Sequence, residues 1–253
     1  MSGVRNILNA LYSGYCIALF FVMMFILMFA YAAVFFLNDR TRTLTAYYCN
    51  RVLSAGWLWV CGYRVIVEGA EKIDKNKTYM FVGNHSNMLD LPVTGFFLQH
   101  YYKSLAKKEL KRVPIFGFLI RISSILVDRS SAESRRRSTQ MVVDSLKNGI
   151  SILIFPEGTR NKTDKPLGPF HSGAFKTALM AQVPVLPFVF TGIRSLQPVG
   201  TWRLYPGTIH VKVFDAIETE GMTTSDVAVL QDKVYTLLEE VILKEDEDFV
   251  EKE

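Results

Sequence analysis

The chain has 253 residues, 49% of them hydrophobic and 21% charged, with a net charge of +5. That length suits one substantial core with an appendage. The basic balance favours anionic partners, and no zinc-finger or RNP signature accompanies it, so nucleic acid drops out of the expected partners. Cys16, Cys49 and Cys61 are the only cysteines and show no C-x-x-C spacing or histidine partner. Neither a disulfide framework nor a metal site is expected from them.

No charged residue occurs from Asn6 to Asn38, and Ile17 to Leu37 is almost wholly apolar. Roughly 20 such residues in a helix cross a bilayer's hydrocarbon core. Ala30-Tyr31-Ala32 looks like a signal-peptide cleavage site, but the apolar run continues past it through Val34-Phe35-Phe36-Leu37, as an uncleaved anchor would. Basic residues follow at Arg40, Arg42, Arg51 and Arg64, and only Arg5 precedes. A spanning segment with that bias leaves the rest of the chain in the cytoplasm. A segment dipping into one leaflet turns the same residues to its headgroups, and the sequence leaves both open. Residues 44–62 form a second apolar stretch with Trp57, Trp59 and two tyrosines, suited to the membrane interface or to a core helix. The expected division is residues 1–62 as membrane-anchoring helices and 63–253 as an α/β catalytic domain.

Tyr63 to Glu68 alternates as a strand. Tyr79 to Val82 is a short apolar run of buried-strand character that breaks at Gly83-Asn84, with His85 where the chain leaves the sheet. Asp90 follows five residues later, ahead of Leu91-Pro92. A histidine at a strand end with a carboxylate to hold its ring is a general-base arrangement. Asp90 also suits a helix N-cap with proline in the first turn, and one carboxylate can do both. A helix is expected from Leu91 to His100 and a strand at Lys103 to Ala106. Another strand is expected at Ile125 to Val127. Ser130-Ser131-Ala132-Glu133 has capping-box spacing and opens a helix to about Asn148. It carries Arg135, Arg136 and Arg137, which spread around the helix and read as a solvated face, or as a contact for anionic headgroups or a cofactor phosphate that offsets their opposition to the helix dipole.

Ser151 to Phe155 is another buried-strand run, ending in Pro156-Glu157-Gly158-Thr159-Arg160. Two apolar strands ending in polar loops suggest two strand ends at one sheet edge, where open α/β sheets keep their sites. The H-x-x-x-x-D of His85 and Asp90 and the FPEGTR of residues 155–160, in this order behind a hydrophobic N-terminus, resemble the glycerolipid acyltransferase family. The likeness covers roughly residues 60–215. It implies a glycerol-3-phosphate acyltransferase-like sheet flanked by helices, with His85 and Asp90 catalytic. It implies Glu157, Gly158, Thr159 and Arg160 at the substrate, with Lys107 and Arg129 assisting in phosphate binding and Gly117 pairing with Arg129 in a second motif. Lys107 also reads as a solvated lysine, and Arg129 as a partner of Asp128. Phe170 and Gly173 fit a further family pattern. Val183-Pro184-Val185-Leu186-Pro187 fits the fourth motif, which lines an acyl pocket or packs the sheet.

The activity so implied moves a fatty acyl group from acyl-CoA or acyl carrier protein to the sn-2 hydroxyl of lysophosphatidate at a phospholipid membrane, with no cofactor and no metal. The substrate hydroxyl is the nucleophile, and no G-x-S-x-G elbow occurs. Glu157 is expected to orient Arg160 or accept a glycerol hydroxyl, and the Gly158 N–H to approach substrate. Glycerol 3-phosphate or another lyso-lipid is the alternative acceptor. A membrane-bound lipid hydrolase, with His85 activating water, and a lipid-binding relative with a dead site are the rivals from other classes. Last come a strand at 208–214 and an amphipathic helix from Thr224 to Lys244, with Val227, Leu230, Val234, Leu237 and Val241 on one face.

Overall fold

The computed structural model describes residues 2–128, 130–246 and 249. Its elements are α1 (Ser2–Ala33), α2 (Asp39–Val60), β1 (Tyr63–Glu68), β2 (Met80–Val82), α3 (Asp90–Phe97), β3 (Tyr102–Lys107), α4 (Phe116–Ser123) and β4 (Ser124–Val127). Then come α5 (Ala132–Lys147), β5 (Ser151–Ile154), α6 (Gly173–Ala181), β6 (Val185–Thr191), α7 (Ile193–Leu196), β7 (Gly207–Val213) and α8 (Val227–Glu245).

The seven strands form one sheet in the order β1-β7-β6-β2-β5-β3-β4. From β6 to β4 all neighbours are parallel, and β7 joins antiparallel to β6. The C-terminal ends of β2, β5, β3 and β4 therefore share one edge. That edge carries His85, Glu157, Lys107 and Asp128, residues on which the sequence reading converged. Arg129 itself lies outside the described residues.

Helices cover both faces. One apolar cluster joins Met24, Leu27 and Tyr31 of α1 and Trp57 of α2 to Phe97, Phe188 and Phe190. The other packs α5, α6 and α8 on the opposite face through Val142, Phe175, Leu230 and Val234. The fourth-motif segment forms central strand β6, fully buried, so of its two expected roles it packs the sheet. On α8 the buried residues are Leu230, Val234, Leu238 and Ile242. The face thus continues by steps of four beyond Val234, and Leu237 and Val241 sit at its margin. Ser131, not Ser130, caps α5 by accepting the Ser134 N–H at 3.0 Å. Ser130 is drawn away by Asp128, to which its hydroxyl donates at 2.6 Å.

Helix α1 is long and apolar enough to cross a membrane, yet hydrogen bonds tie it to Leu204 near its start and to α2 and its C-cap along its length. Asn9 Nδ2 donates to Leu204 O at 2.9 Å, Tyr12 OH to Cys61 O at 2.6 Å, and Trp57 Nε1 to Cys16 O at 3.0 Å. Near its far end Tyr31 OH donates to Ala46 O at 3.3 Å. The opposite side exposes Val4, Ile7, Leu8, Leu11, Phe21, Phe25 and Phe29.

Candidate active site

Strand β2 ends because Gly83 passes too close to β6 for a side chain: a Cβ there would meet the Phe188 ring at 2.3 Å. Asn84 locks the exit by accepting the Phe190 N–H at 2.8 Å and donating to Phe190 O at 3.0 Å. His85 then turns its ring along the edge, stacked on Phe155 with centroids 4.6 Å apart and planes 14° apart.

Asp90 is the first residue of α3, behind Leu89 as N-cap. Its Oδ2 lies 2.5 Å from His85 Nδ1 and accepts the Ser86 and Asn87 N–H groups at 2.7 and 3.0 Å. The carboxylate holds the imidazole and gathers the turn before the helix, but it does not cap α3, whose N-cap is Leu89. The expectation of an N-cap at Asp90 is corrected, because its oxygen is taken by N–H groups that precede the helix. Its side chain is fully buried and that of His85 is 21% exposed. With Nδ1 committed to the carboxylate, Nε2 is the ring nitrogen left for chemistry.

Glu157 differs from expectation. It is 6% exposed, and its Oε1 accepts the His85 N–H at 2.8 Å while Oε2 accepts the Gly168 N–H at 2.8 Å. Each oxygen accepts a backbone N–H, so Glu157 braces the two strand-end loops, and no hydrogen bond or ion pair joins it to Arg160 among the described residues. Burial pushes its carboxyl above the ordinary value, and the two backbone N–H bonds pull against that shift. Asn161 N–H closes the brace by donating to His85 O at 2.8 Å.

Gly158 adopts a left-handed φ of 71° and its N–H donates to Phe155 O at 3.0 Å. That N–H is spent inside the turn and is not left to donate to substrate, while the Gly158 backbone itself lines the cavity that opens at this edge. Thr159 and Arg160 are exposed, and no hydrogen bond or ion pair holds the Arg160 guanidinium among the described residues. Asp128 pairs with Lys108 Nζ at 2.7 Å, which holds its carboxyl well below the usual range. Lys107 is exposed at the end of β3.

A cavity of about 440 Å³ runs from this edge between the sheet and α1, α2 and α4. His85, Gly158, Arg160 and Lys107 stand along it, and Met24, Leu27 and Leu119 are among its apolar walls. Sequence reasoning missed the contribution of α1 and α2. No group of His, Cys, Asp and Glu able to hold a metal occurs among the described residues.

Residues 64–191, about half of the chain, match the family model described as Acyltransferase. An uncharacterized acyltransferase of Schizosaccharomyces pombe is 33% identical over 74% of this chain and 68% of its own length. The chain belongs to the acyltransferase family. A 1-acyl-sn-glycerol-3-phosphate acyltransferase of Haemophilus influenzae is 30% identical over 67% of this acyltransferase and 70% of its own length. The crystal structure of the 1-acyl-sn-glycerophosphate (LPA) acyltransferase PlsC from Thermotoga maritima superposes with a TM-score of 0.75 at 25% identity. That likeness covers 96% of this acyltransferase and 97% of the other chain, the N-terminal helices included.

Proposed function

We propose that this acyltransferase moves a fatty acyl group from acyl-CoA or acyl carrier protein to the sn-2 hydroxyl of 1-acylglycerol 3-phosphate, yielding phosphatidate for phospholipid synthesis. The observation that carries the reading is the His85–Asp90 pair, its ring nitrogens 2.5 Å from the carboxylate on one side and open on the other, at the head of a long apolar cavity. The names of the relatives from Haemophilus influenzae and Thermotoga maritima support the acceptor.

Asp90 fixes the tautomer with the proton on Nδ1, so Nε2 presents its lone pair. As the acceptor oxygen attacks the thioester carbonyl, an O–C bond forms and the C–S bond breaks. His85 Nε2 takes the hydroxyl proton and returns it to the departing sulfur, which leaves as a thiol. The imidazolium formed in between is stabilised by the buried Asp90 carboxylate. Phe155 fixes the ring plane by stacking. The acyl chain lies in the cavity between sheet and α1. Arg160 and Lys107 stand at its polar end, where a guanidinium takes a phosphate in bidentate fashion.

The apolar outer side of α1 seats the enzyme in the bilayer. A helix of 32 residues is about 48 Å long, and one hydrogen-bonded to Leu204 at Asn9 and to the α2 segment at Tyr12, Cys16 and Tyr31 lies immersed in one leaflet. The basic residues Arg40, Arg42, Arg51 and Arg64 favour the anionic cytoplasmic leaflet.

The test is transfer of labelled acyl groups by the detergent-purified protein, given lysophosphatidate, other lyso-lipids and glycerol 3-phosphate in parallel. Labelled phosphatidate that disappears in the His85→Ala protein is the expected result. Label on another acceptor replaces the substrate and keeps the mechanism, and free fatty acid alone makes the protein a hydrolase.

A further inference from the structure

On the sheet face opposite α1 and α2, a second cavity of about 440 Å³ opens between α5 and α6. Phe155 and Gly158 at the end of β5 line both cavities, so the two flank the same strand end, where Phe155 stacks on His85. Each lies within the roughly 300–1,000 Å³ of small-molecule sites.

Small residues keep the second cleft open. Arg135, Ser138, Thr139 and Val142 line it from α5 at the spacing of one helix face, and Gly173, Ala174 and Thr177 line it from α6. A Cβ on Gly173 would meet nothing within 4 Å. The floor is apolar, with Val127 and Ile154. The hydroxyls are arranged in both polarities. Thr139 Oγ1 donates to Arg135 O at 3.0 Å and Thr177 Oγ1 to Gly173 O at 2.6 Å, so both keep lone pairs to accept an N–H. Ser138 Oγ accepts the Asp128 N–H at 3.2 Å, so its proton is left to donate to a carbonyl. Arg135 and His171, both exposed, add cationic and ionisable groups.

We propose that this cleft holds the 4′-phosphopantetheine arm of the acyl donor. The thioester then straddles the sheet edge at Gly158, with the acyl chain on one face and the arm on the other. An arm with two amides, short apolar links and a terminal phosphate matches an apolar floor, hydroxyls of both polarities and a cation. A plain hydrocarbon chain would use none of the remaining hydrogen-bonding capacity of those hydroxyls. The acceptor's own chain also has its place elsewhere, since the exposed apolar side of α1 belongs to the other face of the sheet. The assignment rests on the reading that the donor is a pantetheine thioester, the chemistry common to acyl-CoA and acyl carrier protein.

The experiment uses the full chain in detergent micelles, with free CoA as the probe in calorimetric titration and palmitoyl-CoA and palmitoyl carrier protein as donors in turnover. Thr139→Phe and Gly173→Leu fill the cleft from opposite walls, and Arg135→Ala removes the surface cation. Both filling variants are expected to weaken free CoA at least tenfold and to raise KM for both donors in proportion, with KM for lysophosphatidate within twofold. Arg135→Ala, an exposed change that spares the fold, is expected to weaken CoA severalfold even if a filled variant melts early. Unchanged donor constants in all three, a raised acceptor KM instead, or a loss confined to palmitoyl-CoA while the carrier protein is unaffected would each overturn the assignment. The first two leave the transfer reading standing, whereas a wild-type protein that consumes neither thioester ends that reading and the assignment with it.

Discussion

Glu157 and His85 are joined across adjacent strands β5 and β2 by a hydrogen bond from the His85 N–H to Glu157 Oε1, 2.8 Å long. The ring proposed as general base is thereby held by two carboxylates acting on different atoms, Asp90 on the imidazole and Glu157 on the backbone beneath it. Glu157→Gln tests the second. Its amide keeps one acceptor but presents a donor where Gly168 N–H also donates, leaving a buried N–H unpaired at a cost of about 1–3 kcal/mol. Turnover is expected to fall at least tenfold with KM for lipid little changed, and chemical denaturation reads the stability loss.

The same carboxyl sets a pH dependence. Burial raises its folded-state value above the ordinary one, so around that window the folded protein binds more protons than the unfolded chain. Stability should then decline as pH rises from the ordinary carboxylate range through the raised value. Melting curves of the wild type and Glu157→Gln across that range should differ by this slope, which the glutamine protein lacks.

Asp90→Asn keeps the turn's shape and loses the anion. An asparagine can also present its amide to Nδ1 and so stabilise the wrong tautomer. A kcat loss of about 10²–10⁴-fold, in the range for general acid–base groups, is expected with donor binding intact. Steady-state kinetics beside calorimetric titration of CoA separates the two.

Gly168 backs onto Glu157, and a Cβ there would stand 2.8 Å from Glu157 Oε2. Gly168→Ala is therefore expected to lower kcat several-fold although the residue touches no ligand. A crystal structure of the variant should show the carboxylate displaced from His85 N–H. An unmoved carboxylate with normal turnover would remove Glu157 from its bracing role.

Arg160→Ala is expected to raise KM for lysophosphatidate about ten- to hundredfold, corresponding to the roughly 1.5–3 kcal/mol of a hydrogen bond to a charged group. Donor KM should stay put. Met24→Trp, on the α1 wall of the first cavity, is expected to shift preference toward shorter acyl chains, read by competing donors of different length.

The strand ends were legible because apolar runs broken by Gly83-Asn84 and Pro156-Glu157 leave few ways to build a sheet edge. The part played by Glu157 was not, since its partners are backbone N–H groups that no side-chain pattern announces. Two consecutive serines, Ser130 and Ser131, offered two capping frames, and only the pull of Asp128 on the first decides between them. The second cleft is a matter of side-chain size on helices far apart in sequence, which periodicity does not register. The docking of α1 did leave a trace. Asn9, Tyr12, Ser13 and Cys16 recur at helical spacing on an otherwise apolar segment, a polar seam that a lipid-surrounded helix has no use for.

That seam makes the N-terminal helix a wall of the reaction chamber as well as its mooring. A catalytic domain cut free at residue 62 would be a vessel with one side missing, its Phe97, Phe188 and Phe190 laid open to water. Solubility and activity cannot be gained together by removing the anchor. Under the proposed function, chain-length preference can evolve by substitution within a segment that offers one apolar side to lipid and lines the acyl cavity with the other.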